Sequence, residues 1–103
     1  MDLLRLGSLA EIRSGEMKQF DIKGKELLVV NLENQFYCLN ARCTHAGAPL
    51  AEGSIKQDVL TCPWHRSQFK ITDGSMVNGP AQKPLGTYKV IVKDEQLFID
   101  AKL

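Results

Sequence analysis

Short segments of alternating or strongly apolar residues, separated by turns, run through the first half of the chain. The segment "MKQFDI" at 17–22 alternates, "ELLVVNL" at 26–32 is strongly apolar, and "FYCLNA" follows at 36–41. Such patterns are typical of strands with at least one buried face. The sequence therefore predicts a hairpin or meander from Phe20 to Leu39.

The second half of the chain predicts further short strands. "IKQDVLT" at 55–61 is interpreted as one strand, and "FKIT" at 69–72 with the following "DG" predicts a tight hairpin. "TYKVIV" at 87–92 and "LFID" at 97–100 predict a last hairpin. Between them, "NGPAQKPLG" at 78–86 contains two prolines and two glycines, so an irregular loop is expected there.

The predicted fold class is all-β, with an antiparallel β-sandwich or small barrel built from many short strands. Only "GSLAEIRSG" at 7–15 has the composition of a helical turn. The middle of the chain is richer in glycine and proline than its flanks. We therefore expect a single domain over 1–103, in which a subdomain at about 41–85 is inserted into a base formed by 1–40 and 86–103.

Composition narrows the class of protein. Of the 103 residues, 44% are hydrophobic and 24% are charged, and the formal net charge is +1, so nothing suggests a polyanionic partner such as nucleic acid. No apolar run reaches the ~18 residues of a membrane span, and no secretion signal is recognisable. We expect a cytoplasmic protein with no membrane partner. An odd number of cysteines argues against a disulfide framework.

Two short motifs bring the chain's two histidines next to two of its three cysteines. "CTH" contains Cys43 and His45, and "CPWH" contains Cys62 and His65. Thiolate and neutral imidazole both bind metal ions, and this pairing disfavours the alternative that the four are merely packed side chains. A cluster held only by cysteines needs four of them and is excluded. Residue types and spacing leave a zinc ion or a two-iron cluster with mixed ligands.

The surroundings of these motifs resemble a Rieske iron–sulfur protein. "CTHAGAPLAEG", "CPWHRSQFKITDG" and "NGPAQKPL" match the family pattern of C-x-H, about 16 residues, C-x-x-H and a proline loop; here the gap between His45 and Cys62 is 16 residues. The resemblance implies a Rieske fold with one [2Fe–2S] cluster in the inserted subdomain. It implies that Cys43 and Cys62 bind one iron, and that His45 and His65 bind the other.

The resemblance also implies electrostatic consequences. Two thiolates and two neutral imidazoles leave the oxidised cluster without net charge, so its potential lies above that of a four-thiolate cluster. Small residues near the ligands would let backbone N–H groups approach the sulfurs, and prolines would stiffen the loops. The residues expected around the cluster are Gly47, Ala48, Trp64, Ser67, Gly79 and Pro80.

Departures from the high-potential respiratory members of the family lower the expected potential. Their loop cysteines, which form a disulfide, correspond here to Ala48 and Trp64. Ser67 matches their hydrogen-bonding serine, but their tyrosine corresponds to Phe69, which has no hydroxyl. Fewer donors to the cluster imply a potential near the lower end of the Rieske range, about −150 mV and somewhat above.

Basic residues suggest a docking surface near the cluster. Between Ala41 and Leu85 five basic residues outnumber three acidic ones, an excess of +2. This excess leaves two interpretations, a rim that docks an acidic partner patch and an evenly charged, solvated rim. Family members commonly have glycine at the position of Arg66, so Arg66 would be strained if that glycine has a positive φ. The residues expected at this surface are His45, His65, Arg42 and Arg66.

We expect an electron carrier that is not an enzyme by itself, because no nucleophile or acid–base pair accompanies the ligands. The chain resembles soluble Rieske-type ferredoxins, which implies transfer from an NAD(P)H-dependent flavin reductase to a terminal, ring-hydroxylating oxygenase. A small Rieske subunit of an assimilatory nitrite reductase and a zinc-stabilised binding module are the alternatives. The third cysteine, Cys38, lies in an apolar segment and is expected to be a packing residue.

Overall fold

The structure is a computed structural model that describes residues 3–44, 47–64, 66–79 and 83–100. These residues form eleven short strands and two single-turn 3-10 helices, at Leu9–Glu11 and Leu50–Glu52. The strands are β1 (Leu3–Ser8), β2 (Met17–Ile22), β3 (Lys25–Leu32), β4 (Gln35–Asn40), β5 (Ser54–Lys56), β6 (Val59–Thr61), β7 (Gln68–Lys70), β8 (Met76–Asn78), β9 (Thr87–Tyr88), β10 (Val90–Lys93) and β11 (Gln96–Asp100).

The strands form three antiparallel sheets, which confirms the predicted all-β class. Their orders are β1-β11-β10, β2-β3-β4-β9 and β5-β6-β7-β8. The third sheet lies wholly within the segment 41–85, whereas strands from both flanks of that segment build the other two. The boundary drawn between a base and an inserted subdomain remains a prediction.

Strand β3 shows how the three sheets of so short a chain pack together, because it contributes to two cores. Leu27 and Val29 point to one side, into a core shared with Leu97 of β11. Leu28 and Val30 point to the other side, into a core shared with the third sheet. All four side chains are fully buried, which is why β3 is a continuous apolar run instead of an alternating one.

The predicted hairpins are confirmed in both halves of the chain. Strands β2, β3 and β4 pair consecutively, and β7 pairs with β8 across the "DG" turn. A 3-10 turn lies within 7–15 as expected, where Ser8 and Glu11 form a reciprocal capping box. Strand β1, which pairs with β11, was not predicted.

Two predicted strands were wrong because each is divided. The segment 55–61 folds into β5 and β6 around a turn at Gln57, whose φ is +56°. No glycine or asparagine marks this turn, which instead gains a backbone bond from the Ile71 N–H to the Asp58 carbonyl (2.7 Å). The segment 87–92 breaks at Lys89, where the chain leaves the second sheet for the first.

Among the described residues there is no helix with the length and apolar character needed to cross a bilayer.

Candidate metal centre

The first ligand motif lies in a loop closed by backbone hydrogen bonds. Arg42 and Pro49 form an isolated antiparallel bridge at its base. Inside it, the Cys43 N–H donates to the Ala48 carbonyl (2.9 Å), and the Gly47 N–H donates to the Cys43 carbonyl (3.0 Å). Gly47 has a φ of +71°, which side-chain-bearing residues rarely adopt. The loop therefore holds Cys43 in a defined position after β4.

The second motif begins where β6 ends. The Cys62 N–H donates to the carbonyl of Ser67 (2.8 Å) and closes the β6–β7 hairpin, beyond which Pro63, Trp64 and Arg66 form a bulge. Gly79, at the end of β8, lies against this bulge: a Cβ placed there would approach the Ser67 Cα to 2.6 Å and the Arg66 carbonyl oxygen to 3.0 Å. Its close contact and its φ of +97° both require glycine.

The two loops bring the Cys43 and Cys62 thiols together. The side chains are hydrogen-bonded to each other, and the residues are only 4% and 2% exposed. Burial raises the pKa of the Cys62 thiol, a backbone hydrogen bond from Trp64 lowers it, and the neighbouring Cys43 thiol raises it further. Both cysteines belong to the core that the third sheet shares with β3.

This pair of thiols fits an iron–sulfur centre. Two cysteines whose side chains touch in an apolar core offer two soft donors on one side of a site. A buried thiolate is unfavourable without a compensating charge, and a metal ion supplies that charge. The residues present therefore fit the mixed-ligand cluster expected from the motifs.

Three predicted positions lie outside the described residues. They are the two histidines, His45 and His65, and the loop residue Pro80. The assignment of His45 and His65 as ligands therefore rests on their sequence spacing from the paired cysteines.

The other predicted neighbours lie around the paired cysteines. Ala48 and Ser67 are fully buried, and Phe69, at the position of the family tyrosine, is fully buried as well. Trp64 is 50% exposed and is therefore not a core residue. Gly47 has open space where a Cβ would lie, so among the described residues its φ, not crowding, is what demands glycine.

Cys38 is separated from this pair. It lies in the opposite core, beside β1 and β11, where burial raises the pKa of its thiol to about 12. The expectation that Cys38 is a packing residue is confirmed.

The two arginines differ in their environment. Arg66 is exposed and has a φ of +58°, so the strain expected from replacing a family glycine is present. Arg42, in contrast, makes an ion pair with Glu26 of β3, with Nε 2.8 Å from Oε1 and Nη2 2.9 Å from Oε2. Its third hydrogen bond joins Nη1 to the carbonyl of Gly47 (3.0 Å).

Sequence reasoning missed two residues of the site. Glu26 lies 16 positions before Arg42 on another strand, and no local pattern links the two. The Thr44 Oγ1 donates to the carbonyl of Lys83 (2.7 Å) and so ties the first ligand loop to the segment that follows Pro80. Its place between Cys43 and His45 was the available signal.

Comparison with known proteins identifies relatives of the whole chain. The family model described as "Rieske [2Fe-2S] domain" matches residues 2–89. The 3-phenylpropionate/cinnamic acid dioxygenase ferredoxin subunit of Shigella flexneri is 33% identical over 93 residues, which cover 89% of this chain and 87% of that protein. Ferredoxin CarAc of Metapseudomonas resinovorans is 30% identical over 97 residues, covering 93% and 91%.

A longer protein also contains a similar segment. Human apoptosis-inducing factor 3 is 28% identical over 91 residues, which are 88% of this chain but only 15% of that protein. This chain thus spans a small part of that relative and nearly the full length of the two ferredoxins.

Solved structures show the same fold. The ferredoxin of carbazole 1,9a-dioxygenase from Nocardioides aromaticivorans superposes with a TM-score of 0.92 at 26% identity, covering 99% of this chain and 100% of that one. A ferredoxin-like match in a complex of reduced oxygenase and oxidised ferredoxin of carbazole 1,9a-dioxygenase has a TM-score of 0.89 at 30% identity, covering 94% and 91%.

Proposed function

Because the chain belongs to the Rieske [2Fe-2S] domain family, we propose that it carries single electrons between two redox proteins on a Rieske-type [2Fe–2S] cluster. The observation that carries this proposal is the hydrogen-bonded pair of buried thiols, Cys43 and Cys62, each followed closely by a histidine. It is proposed to act as a component of an oxidoreductase system and not as an enzyme by itself.

The proposed ligands divide by residue type. Cys43 and Cys62 would bind the iron nearer the core, and His45 and His65 would bind the other iron. When bound, the cluster supplies one reversible electron-accepting centre. The protein excludes water from its cysteine side with fully buried apolar residues such as Leu60 and Phe69. Small residues, Gly47 and Ala48, leave room for backbone N–H groups beside the sulfurs.

The proposed partners follow from the relatives' roles. Two of them are named as ferredoxin components of dioxygenase systems, and one solved complex pairs a ferredoxin with its oxygenase. We infer that this chain accepts electrons from an NAD(P)H-dependent flavin reductase and passes them to a terminal oxygenase of the ring-hydroxylating type. A cytoplasmic location, where such flavoproteins and reduced thiols coexist, belongs to the same proposal.

The proposed docking surface lies around the second ligand loop. Arg66 is exposed, and among the described residues no carboxylate forms an ion pair with it. Trp64 offers half of its surface to solvent two positions earlier, and an exposed aromatic beside a cation suits a protein interface. His45 and His65 would complete this surface. A docking role for Arg42 remains a prediction, although its guanidinium is already engaged by Glu26.

The optical and magnetic properties of the purified protein test the cofactor. A Rieske cluster makes it red-brown, with a visible spectrum that bleaches under dithionite and a reduced EPR signal whose average g value is below 2. A colourless protein that contains zinc would instead identify a zinc-stabilised binding module and would contradict electron transfer.

Reconstitution tests the partners. Electron flow from NAD(P)H through a flavin reductase to a ring-hydroxylating oxygenase should require this protein and should cease when it is omitted. Activity with an assimilatory nitrite reductase, and none with any oxygenase, would support the alternative assignment as a small Rieske subunit.

A further inference from the structure

Arg42 connects the first ligand loop to the neighbouring sheet. Its guanidinium makes two parallel hydrogen bonds to the Glu26 carboxylate, at 2.8 and 2.9 Å, and its remaining nitrogen donates to the Gly47 carbonyl at 3.0 Å. Glu26 is itself positioned in β3, where its carboxylate also accepts from Gln19 Nε2 (3.3 Å). A planar guanidinium held at three points fixes the direction of the Gly47 carbonyl.

The Gly47 carbonyl belongs to the same peptide group as the Ala48 N–H. Because that peptide is planar and trans, its N–H points away from the carbonyl and hence away from Arg42. Ala48 is fully buried in the core that contains Cys43 and Cys62. No backbone carbonyl among the described residues accepts the Ala48 N–H. A buried N–H requires an acceptor, and the sulfurs of Cys43 and Cys62 lie in the same core as Ala48.

We propose that Arg42, held by Glu26, is a positioning residue that orients and polarises the Gly47–Ala48 peptide so that its N–H donates to sulfur of the cluster site. This inference rests on the proposed function. A charged donor on the carbonyl strengthens the N–H as a donor on the other end of the peptide. Hydrogen bonds to sulfur stabilise the reduced cluster, so the Arg42 contact raises the reduction potential.

The positive charge of Arg42 alone would also raise the potential, and the two effects must be separated. Arg42→Lys retains the charge, but an ammonium cannot bond Glu26 at two points and Gly47 at a third. Glu26→Gln separates the effects by sign. Loss of a negative charge by itself raises the potential, whereas release of Arg42 lowers it.

The experiment is a spectroelectrochemical titration of purified, cluster-loaded wild type, Arg42→Lys and Glu26→Gln. We expect both variants to keep the visible spectrum. At a given applied potential, the ratio of oxidised to reduced cluster should be between threefold and tenfold higher than in wild type. The larger value corresponds to about 59 mV for a one-electron couple. Arg66→Gln, which removes a nearby cation without touching Gly47, serves as the control for charge and sets the size of the purely electrostatic shift.

Two results would overturn the inference alone. An unchanged potential in Arg42→Lys would mean that charge alone matters, and a raised potential in Glu26→Gln would show that positioning is absent. If Arg42→Lys does not assemble a cluster, the sign of the shift in reduction potential of Glu26→Gln decides between positioning and charge. Either result leaves the proposed function intact when wild type shows the Rieske spectrum, whereas a wild type without that spectrum refutes the proposed function and this inference together.

Discussion

The three cysteines show how a residue's neighbours decide its chemistry. Cys43 and Cys62 touch each other in one core, and Cys38 lies alone in the other. Burial raises the pKa of Cys38 to about 12, which keeps that thiol protonated and unreactive at neutral pH. Only the paired thiols have a partner that makes metal binding productive.

Substitution of single cysteines should separate these two roles. We expect Cys38→Ala to keep the full visible spectrum and to lower the free energy of unfolding by about 1–2 kcal/mol, because a small buried side chain is lost. Cys62→Ala should abolish the spectrum. Absorbance and iron content of the two purified variants check this, and loss of the cluster in Cys38→Ala would contradict the ligand assignment.

Arg66 combines backbone strain with an exposed charge, and two substitutions separate them. Arg66→Gly removes both, so we expect the free energy of unfolding to rise by up to about 1 kcal/mol and electron transfer to the oxygenase to slow at low salt. Arg66→Ala keeps the strain and should slow transfer to the same extent without the gain in stability. Thermal unfolding and salt-dependent transfer rates measure both. Rates that do not change with added salt would contradict docking through Arg66.

At the scale of elements, local patterns predicted the hairpins but not every turn. Strands β2 to β4 follow from apolar runs bounded by turn residues, whereas the division at Gln57 has no glycine or asparagine to mark it. Lys89 lies inside the segment 87–92, which the sequence predicts as one strand, yet there the chain moves between sheets. Such features depend on contacts between distant segments, as does the pairing of Arg42 with Glu26. The ligand motifs were predictable because their spacing is local.

Gly79 is the element junction that should tolerate substitution least. Gly79→Ala adds a Cβ 2.6 Å from the Ser67 Cα, in a backbone with a φ of +97°. We expect the free energy of unfolding to fall by more than about 2 kcal/mol and the cluster to be lost faster. The matched control is Gly15→Ala. Gly15 also has a positive φ, +84°, but a Cβ added there meets no atom within 4 Å. That variant should lose only about 1 kcal/mol and retain the cluster. Equal losses in the two variants would exclude the contact as the cause.

The turn between β10 and β11 is a position where stability can be gained. Asp94 and Glu95 have φ values of +52° and +60°, values that glycine adopts without cost. We expect Glu95→Gly to raise the free energy of unfolding by about 1 kcal/mol with an unchanged reduction potential. Glu95→Ala, which loses the charge and keeps the Cβ, should give no such gain in denaturant titrations.

At the scale of the whole molecule, the second sheet (β2-β3-β4-β9) is the middle sheet of the three and separates two cores with different roles. One core contains the paired thiols and the third sheet, and the other joins the middle sheet to β1, β10 and β11. Because β3 and β4 each contribute buried side chains to both cores, a change in one core reaches the other through shared strands. Removal of the cluster should therefore lower the melting temperature of the whole domain and not of one part alone, which calorimetry of holo and apo protein measures.

The buried surroundings of the site also set the potential of the molecule. Phe69 is fully buried and has no hydroxyl, and no disulfide constrains the loops, because none of the three cysteines forms a disulfide bond. We expect a midpoint of about −150 mV or somewhat above, and a higher value in Phe69→Tyr. A wild-type midpoint above about +100 mV in a redox titration would contradict this expectation.

The pairing of β1 with β11 determines when the first sheet can form during synthesis on the ribosome. Leu3 lies opposite Asp100, so the first sheet cannot close until nearly the whole chain has been made. Cys43 and Cys62 leave the ribosome earlier, while β1 still lacks its neighbour. In a newly made chain both cluster-site thiols are therefore synthesised before the first sheet can close.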